Sequence, residues 1–176
     1  MAERSPVSQL AELLGGHAKP VIRPQRLAPA TTYDIDYRMA VIALTIQKHG
    51  AETDEGELRI DSARLKLFQF VAQRPNMLPA MREWARSKHA SGLLRDSSQR
   101  LRRGYLCDST HDQVVEFMMA CKILRADGRN YITEKSSQYI ATIAIASETE
   151  NMFATERAAL QELADFRVTN AMLEGQ

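Results

Sequence analysis

A helix–hairpin–helix pattern between Ser109 and Thr142 constrains the fold more than any other feature. Apolar residues at spacings of three and four predict a first helix with one buried face; they are Val114, Val115, Phe117, Met118 and Cys121. Two β-prone runs follow, joined by Asp127-Gly128, which favours a tight hairpin because the turn needs positive φ. Helical spacing resumes at Tyr139. Helix, two-stranded wing and helix form the second half of a winged helix-turn-helix unit.

Capping residues and helix-terminating residues indicate where the other elements begin and end. Ser109 or Thr110 is expected to cap the first helix of this pattern, and Thr133 the second. Upstream, Asp34 or Asp36 begins a largely buried helix that Gly50 ends, at a position expected to need left-handed φ. An acidic loop is predicted at 51–57. Two further helices are expected at 61–74 and 78–85, followed by an acidic C-terminal helix at 148–166.

The fold class predicted is therefore mainly α, a winged-helix domain with additional packed helices and a short β-hairpin wing. Four of the six prolines lie in residues 1–30, which predicts a flexible N-terminal tail. Residues 31–90 are expected to form a helical subdomain, and residues 91–176 a winged-helix subdomain with a C-terminal helix.

Two apolar segments are candidates for partner interfaces. Asp61 is expected to cap the helix that Pro75 ends, and its apolar surface is wide. That width predicts contact on two sides, either with the core and a neighbouring helix or with a partner subunit. In the tail, residues 8–14 could form about two helical turns that fold against a partner groove, while a frayed tail with no role is the favoured interpretation. The candidate interface residues are Leu67, Phe70 and Val71 in the helix and Leu10, Leu13 and Leu14 in the tail.

Charge is unevenly distributed, although the net charge is only +1. Residues 82–103 hold seven bases and two acids, whereas residues 147–176 hold six acids and two bases. This asymmetry predicts a polyanion or an acidic partner near the middle of the chain, or else two solvated faces of opposite sign. Arginine suits phosphate because its planar fork donates two parallel hydrogen bonds. The candidates for nucleic acid or an acidic partner are Arg95, Arg100, Arg102, Arg103, Lys122, Arg125 and Arg129.

No catalytic or metal-binding signature is present in the sequence. The four histidines lack neighbours at metal-ligand spacing, so neither a metal nor a cofactor is expected. Asp108, His111 and Asp112 form the one cluster that resembles a site, and capping at a helix start is the favoured interpretation. Neither a membrane span nor a signal peptide is recognisable. The chain is expected to be a non-enzymatic, cytoplasmic protein.

Four stretches covering most of residues 23–142 carry a resemblance to a known family. They read RPQRLAPATTYDIDYRMAVIAL, LRIDSARLKLFQFVAQRPNMLP, QRLRRGYLCD and DQVVEFMMACKILRADGRNYITEKSSQYI. The chain resembles the small middle component of ABC three-component bacterial defence systems, which are built around an SMC/Rad50-like ATPase and include Lamassu-type anti-phage and anti-plasmid modules. The resemblance implies a non-catalytic bridging subunit that joins the ATPase heads to an effector, often a nuclease. It supplies no site residues.

Two hypotheses follow. The first is this assembly subunit, with the ATPase and a nuclease-like effector as partners and double-stranded DNA as a further candidate. The second is a free-standing, dimeric winged-helix transcriptional regulator. Against the second, the helix that would enter the major groove carries Asp112 and Glu116, with Lys122 only at its end.

Overall fold

A computed structural model describes residues 34–86, 96–134, 137–166, 168–169 and 172–173. These residues form a mainly helical protein with a small four-stranded antiparallel sheet. In chain order the elements are α1 (Ile35–His49), β1 (Ala51–Glu52), β2 (Leu58–Asp61), α2 (Ser62–Ala72), a short 3-10 helix (Pro75–Met77), α3 (Leu78–Arg86), α4 (Asp96–Leu106), α5 (Ser109–Ala120), β3 (Leu124–Asp127), β4 (Asn130–Thr133), α6 (Tyr139–Thr149) and α7 (Ala154–Leu163). The predicted tail lies outside the described residues, as do its candidates Leu10, Leu13 and Leu14.

The predicted hairpin is confirmed and forms part of a larger sheet. β3 and β4 pair in register from Leu124 to Asp127, and Gly128 adopts the positive φ (58°) that the tight turn requires. The strand order is β1-β2-β4-β3, so β2 pairs with β4 across a long stretch of chain. The prediction of an acidic loop at 51–57 is wrong for its first two residues, because these form β1, which pairs with β2.

Helix α1 is the central helix. Asp34 caps it, accepting hydrogen bonds from the backbone N–H groups of Asp36 and Tyr37. Its residues 38–46 are all buried, as predicted. Gly50 ends the helix, but its φ of −70° corrects the expectation of a left-handed residue. Glycine is needed there for space, since a Cβ atom would lie 2.6 Å from the carbonyl oxygen of Ile46.

Helix α2 is covered by the chain itself. Asp61 caps it, as predicted, by accepting from the backbone N–H of Arg64. Leu67, Phe70 and Val71 are all buried, so no surface remains at these side chains for a partner. This corrects the partner-interface interpretation in favour of core packing. The physical reason is that α2 packs against α1, α4 and α7, each of which covers part of its apolar circumference.

The basic stretch predicted at residues 82–103 overlaps helix α4, whose buried side carries Leu101 and Tyr105. Trp84 of α3 is buried near Tyr105 and belongs to the core. Leu106, at the end of α4, is 52% exposed.

Around α5 the structure corrects both expected caps. Asp108 caps α5 by accepting from the backbone N–H of His111, in place of Ser109 or Thr110. Thr133 does not cap α6, because its hydroxyl oxygen accepts from the backbone N–H of Leu58. That bond ties the end of β4 to β2.

Two residues of the predicted apolar face of α5, Phe117 and Cys121, are exposed. The face is correct at Val114, Val115 and Met118, which are buried. The burial of Cys121 was therefore predicted wrongly, since it lies exposed at the C-terminal cap of α5.

The C-terminal helix predicted at 148–166 is shorter in the structure, where it corresponds to α7 (Ala154–Leu163), because α6, the second helix of the helix–hairpin–helix pattern, continues to Thr149. α6 ends at Thr149 and α7 begins at Ala154. Between them Asn151 and Phe153 adopt left-handed φ values of 51° and 57°, which reverses the chain. α7 then packs against α1 and α2.

One hydrophobic core contains residues from both predicted subdomains, from Met39 in α1 to Leu173. The predicted boundary near residue 90 lies outside the described residues. Among the helices that the structure describes, none combines the length and apolar character of a membrane span.

Candidate functional site

The outward side of α5 is an acidic and apolar surface. We call it the α5 face and define it by its exposed residues Asp112, Gln113, Glu116, Phe117, Ala120 and Cys121. Their spacing of one, four, five, eight and nine residues places them in one stripe along the helix. Phe117, in the last turn of α5, is 44% exposed.

The acids of the α5 face lie beside the sheet. Lys66 of α2 donates to both carboxylate oxygens of Asp112, at 3.0 and 2.8 Å. Burial, and then the negative charges of Asp112 and Glu116, raise the pKa of Tyr131 on β4. Glu116 forms no ion pair with a described residue. The face therefore presents one free carboxylate and one partly neutralised carboxylate beside an exposed phenyl ring.

The inward side of α5 is held by a buried polar network that the sequence did not reveal. Arg38 Nη1 donates to both carboxylate oxygens of Asp108, at 3.1 and 3.2 Å, and both side chains are buried. The available signal was a single arginine inside the apolar run of α1. His111 Nδ1 lies 2.9 Å from Gln69 Oε1. Burial lowers the pKa of His111 to about 4.

The cluster Asp108, His111 and Asp112 does not converge on one point. Asp108 bonds to α1, His111 to α2 through Gln69, and Asp112 to α2 through Lys66. The predicted capping role holds for Asp108. The three side chains together fix α5 against two neighbouring helices.

The predicted basic residues are distributed over separate elements. Arg100 and Arg103 are exposed one turn apart on α4, and Arg102 is partly exposed beside them. None of these three forms an ion pair with a described residue. Arg95 lies outside the described residues.

Of the predicted bases near the hairpin, Arg125 is balanced by a carboxylate. Arg125 Nη2 lies 2.7 Å from Glu57 Oε2, and this contact is the main cause of a raised Arg125 pKa. Arg129 is exposed at the hairpin turn, and Lys122 is exposed with a left-handed φ of 55°. Asp127, the carboxylate at the end of β3, pairs with Arg59 of β2 at 3.2 Å. The hairpin is thus a mixed-charge surface.

In the part of the chain that the structure describes, no cluster of histidine, cysteine and carboxylate side chains could hold a metal ion. The two described histidines contact other residues of the chain: His111 lies beside Gln69, and His49 Nε2 lies 3.0 Å from the carbonyl oxygen of Leu160.

Comparison with protein-family models, with curated proteins and with solved structures found no match to this chain.

Proposed function

We propose that the described residues form a winged-helix domain with two inserted helices. The strands β2, β4 and β3 are neighbours in that order, with α1 before β2, α2 after it and α5 directly before the β3–β4 hairpin. In a winged helix, the helix before the hairpin is the one that reads the major groove. α3 and α4 would then be insertions between the two helices of the helix-turn-helix.

We propose that the protein is a non-catalytic bridging subunit of an SMC-like ATPase complex in bacterial defence. It links the ATPase heads to an effector nuclease and acts in the cytoplasm. The observation that carries this proposal is the α5 face. A recognition helix presents polar and basic side chains to base edges, whereas this one presents Glu116, Phe117 and a lysine-bound Asp112.

Electrostatics weigh against α5 entering a DNA groove. Phosphates supply most of the affinity of DNA-binding proteins, and they attract lysine and arginine. A carboxylate such as Glu116 in the groove would be repelled by the backbone on both sides. An exposed phenyl ring beside acids instead suits a protein interface, where aromatic anchors contribute much of the binding energy.

The second candidate function, a free-standing dimeric DNA-binding regulator, has one observation in its favour. Arg100 and Arg103 on α4 are exposed and without ion pairs to described residues. Together with Arg102 they could contact a phosphate backbone without reading sequence. The same arginines equally suit an acidic partner surface, so they support either function.

The test is co-expression with the products of the neighbouring genes, followed by size-exclusion chromatography with light scattering. The wild type is expected to elute as a stable heteromer, and Phe117→Glu is expected to dissociate it. Ile35→Glu is the matched control, because Ile35 has the same 44% exposure on α1. A homodimer that ignores its neighbours and binds duplex DNA through Arg100 and Arg103, with strong salt dependence, would overturn the proposal.

A further inference from the structure

The exposed side of α4 carries two arginines one turn apart. We call it the α4 stripe and define it by Arg100, Arg103 and Leu106, which are exposed and follow one another at a spacing of three. Residues three apart on a helix are neighbours on its surface, with Cβ atoms about 5–6 Å apart. Leu101 and Tyr105 lie on the other side of α4, in the core. The two guanidinium groups therefore project side by side from one helix, a placement that the helix itself fixes.

The charge of the α4 stripe is not balanced by the rest of the described chain. Arg100 and Arg103 form no ion pair with a described residue, and neither does Arg102 beside them. The one acid of α4, Asp96, lies a turn before Arg100 and is not paired with it. With three arginines and one aspartate, α4 has a net charge of +2.

Helix stability accounts for only one of these arginines. Arg103 lies in the last turn of α4, where the helix dipole favours a positive charge. Arg100 lies in the middle of the helix, where this effect has faded. Arg102 lies beside Tyr105: burial raises the pKa of that phenol, and the charge of Arg102 opposes the rise. Like charges one turn apart destabilise a helix, so the arrangement of Arg100 and Arg103 indicates a ligand that neutralises them.

The composition of the stripe favours a row of phosphates over a protein surface. The centres of protein interfaces are depleted of charged residues and enriched in aromatic anchors, as on the α5 face with Phe117. On the α4 stripe the central residue is Arg103, and the one large apolar side chain, Leu106, lies at the end of the helix. A guanidinium group donates two parallel hydrogen bonds to a phosphate, and a nucleic-acid backbone offers phosphates to several arginines at once.

The same stripe favours a double strand over a single strand. Proteins that bind single strands stack the bases on exposed aromatic rings beside the basic residues. The one aromatic residue of α4, Tyr105, is buried, and its hydroxyl group donates to the carbonyl oxygen of Leu173 at 3.2 Å. A duplex keeps its bases stacked and presents its phosphates outward, with one charge per about 1.7 Å of the axis of DNA.

We propose that the α4 stripe, together with Arg102, binds the phosphate backbone of duplex DNA without reading its sequence. Phosphate contacts position a protein on DNA and carry no sequence information. This inference goes beyond the proposed function, since bridging two protein partners requires no nucleic acid. The α5 face, whose carboxylates repel phosphate, stays available to a protein partner. DNA binding through α4 is compatible with both candidate functions, and assembly with the neighbouring gene products decides between them.

The test is fluorescence anisotropy of a short labelled DNA duplex titrated with the full chain at salt concentrations from about 50 to 200 mM. Each phosphate contact adds about −0.9 to the slope of log K against the logarithm of the salt concentration, so two or three contacts predict a slope of about −1.8 to −2.7. Arg100→Gln with Arg103→Gln should make this slope shallower by about 1.8 and weaken binding in low salt by about tenfold. Duplexes of unrelated sequence should bind equally well.

The control is Arg59→Gln with Arg82→Gln. This pair of substitutions removes the same charge, but from arginines that are paired with Asp127 and Glu162. It should leave the affinity for DNA and its salt dependence unchanged. Glutamine has nearly the helix propensity of arginine, so the α4 variant is expected to fold, and circular dichroism of both variants checks this.

Four results would overturn the proposal. The first is no binding of duplex DNA by the wild type in low salt, and the second is an equal loss of affinity in the control variant. The third is tighter binding of single-stranded DNA or of duplex RNA. The fourth is normal DNA binding by the α4 variant together with loss of the heteromer, which would assign the stripe to an acidic protein partner. None of them refutes the proposed function, because that is tested separately through Phe117 on the α5 face.

Discussion

The buried ion pair between Arg38 and Asp108 gives the sharpest prediction about stability. Arg38 Nη1 contacts both oxygens of Asp108, and the two side chains are only 2% and 7% exposed. Asp108 also caps α5. The variant to make is Asp108→Asn, which keeps the shape of the side chain and one oxygen for the cap but removes the negative charge. Arg38 then lies beside a neutral amide whose N–H groups face its own.

The expected loss in the free energy of unfolding follows from the burial of this ion pair. Removing one partner of a buried pair destabilises a protein by about 3–5 kcal/mol, because the other charge loses its compensation. Asp108→Ala should cost about 1 kcal/mol more, since the cap of α5 is lost as well. Replacing both partners, as Arg38→Met with Asp108→Asn, should cost less than Asp108→Asn alone, because no charge then remains buried.

The assay is urea unfolding followed by far-ultraviolet circular dichroism, which gives the free energy of unfolding for the wild type, for Asp108→Asn and Arg38→Met alone, and for the double variant. A loss of about 4 kcal/mol is a large part of the stability of a domain of this size, so the double variant also secures a folded comparison. A cost below about 1 kcal/mol for Asp108→Asn, or additive effects in the double variant, would refute the reasoning.

Three further predictions concern single residues. Gly104→Ala should lower the free energy of unfolding by about 1–3 kcal/mol in urea titrations, because its Cβ atom would lie 2.6 Å from the Phe70 ring; unchanged or higher stability would contradict this close contact. Lys122→Gly should raise the melting temperature and add up to about 1 kcal/mol to the free energy of unfolding, because Lys122 has a left-handed φ of 55° that glycine adopts without strain. A lower melting temperature would count against strain at this residue. Burial lowers the pKa of His111 to about 4. The neutral imidazole therefore adds about 3 kcal/mol to the free energy of unfolding above pH 6.5, and this contribution is lost as the pH falls towards 4. In urea unfolding between pH 7 and 4.5, the free energy of unfolding of His111→Asn should depend less on pH than that of the wild type. His49, whose pKa burial also lowers to about 4, should account for part of the dependence that remains, and an unchanged profile in the variant would exclude His111 as a source.

The candidate surfaces could be predicted from the sequence only in part. The sequence placed Asp112 and Glu116 on the helix before the hairpin, and both are exposed there. It also assigned Phe117 to the core, where the structure instead exposes it. Periodicity gives the direction in which a helical residue points relative to its neighbours, but the width of the covered stripe depends on which other helices pack against it.

The sequence by itself determined the local elements of this protein. Asp34 and Asp61 mark two helix starts, and Gly128 makes the hairpin turn, because a cap or a turn depends on a few adjacent residues. Only the tertiary structure decided that Ile60 pairs with Tyr131, and that Arg38 is neutralised by a carboxylate far along the chain. These contacts join segments about 70 residues apart, and no local pattern specifies them. The free energy of the whole packed core selects them, since many other pairings satisfy the same local preferences.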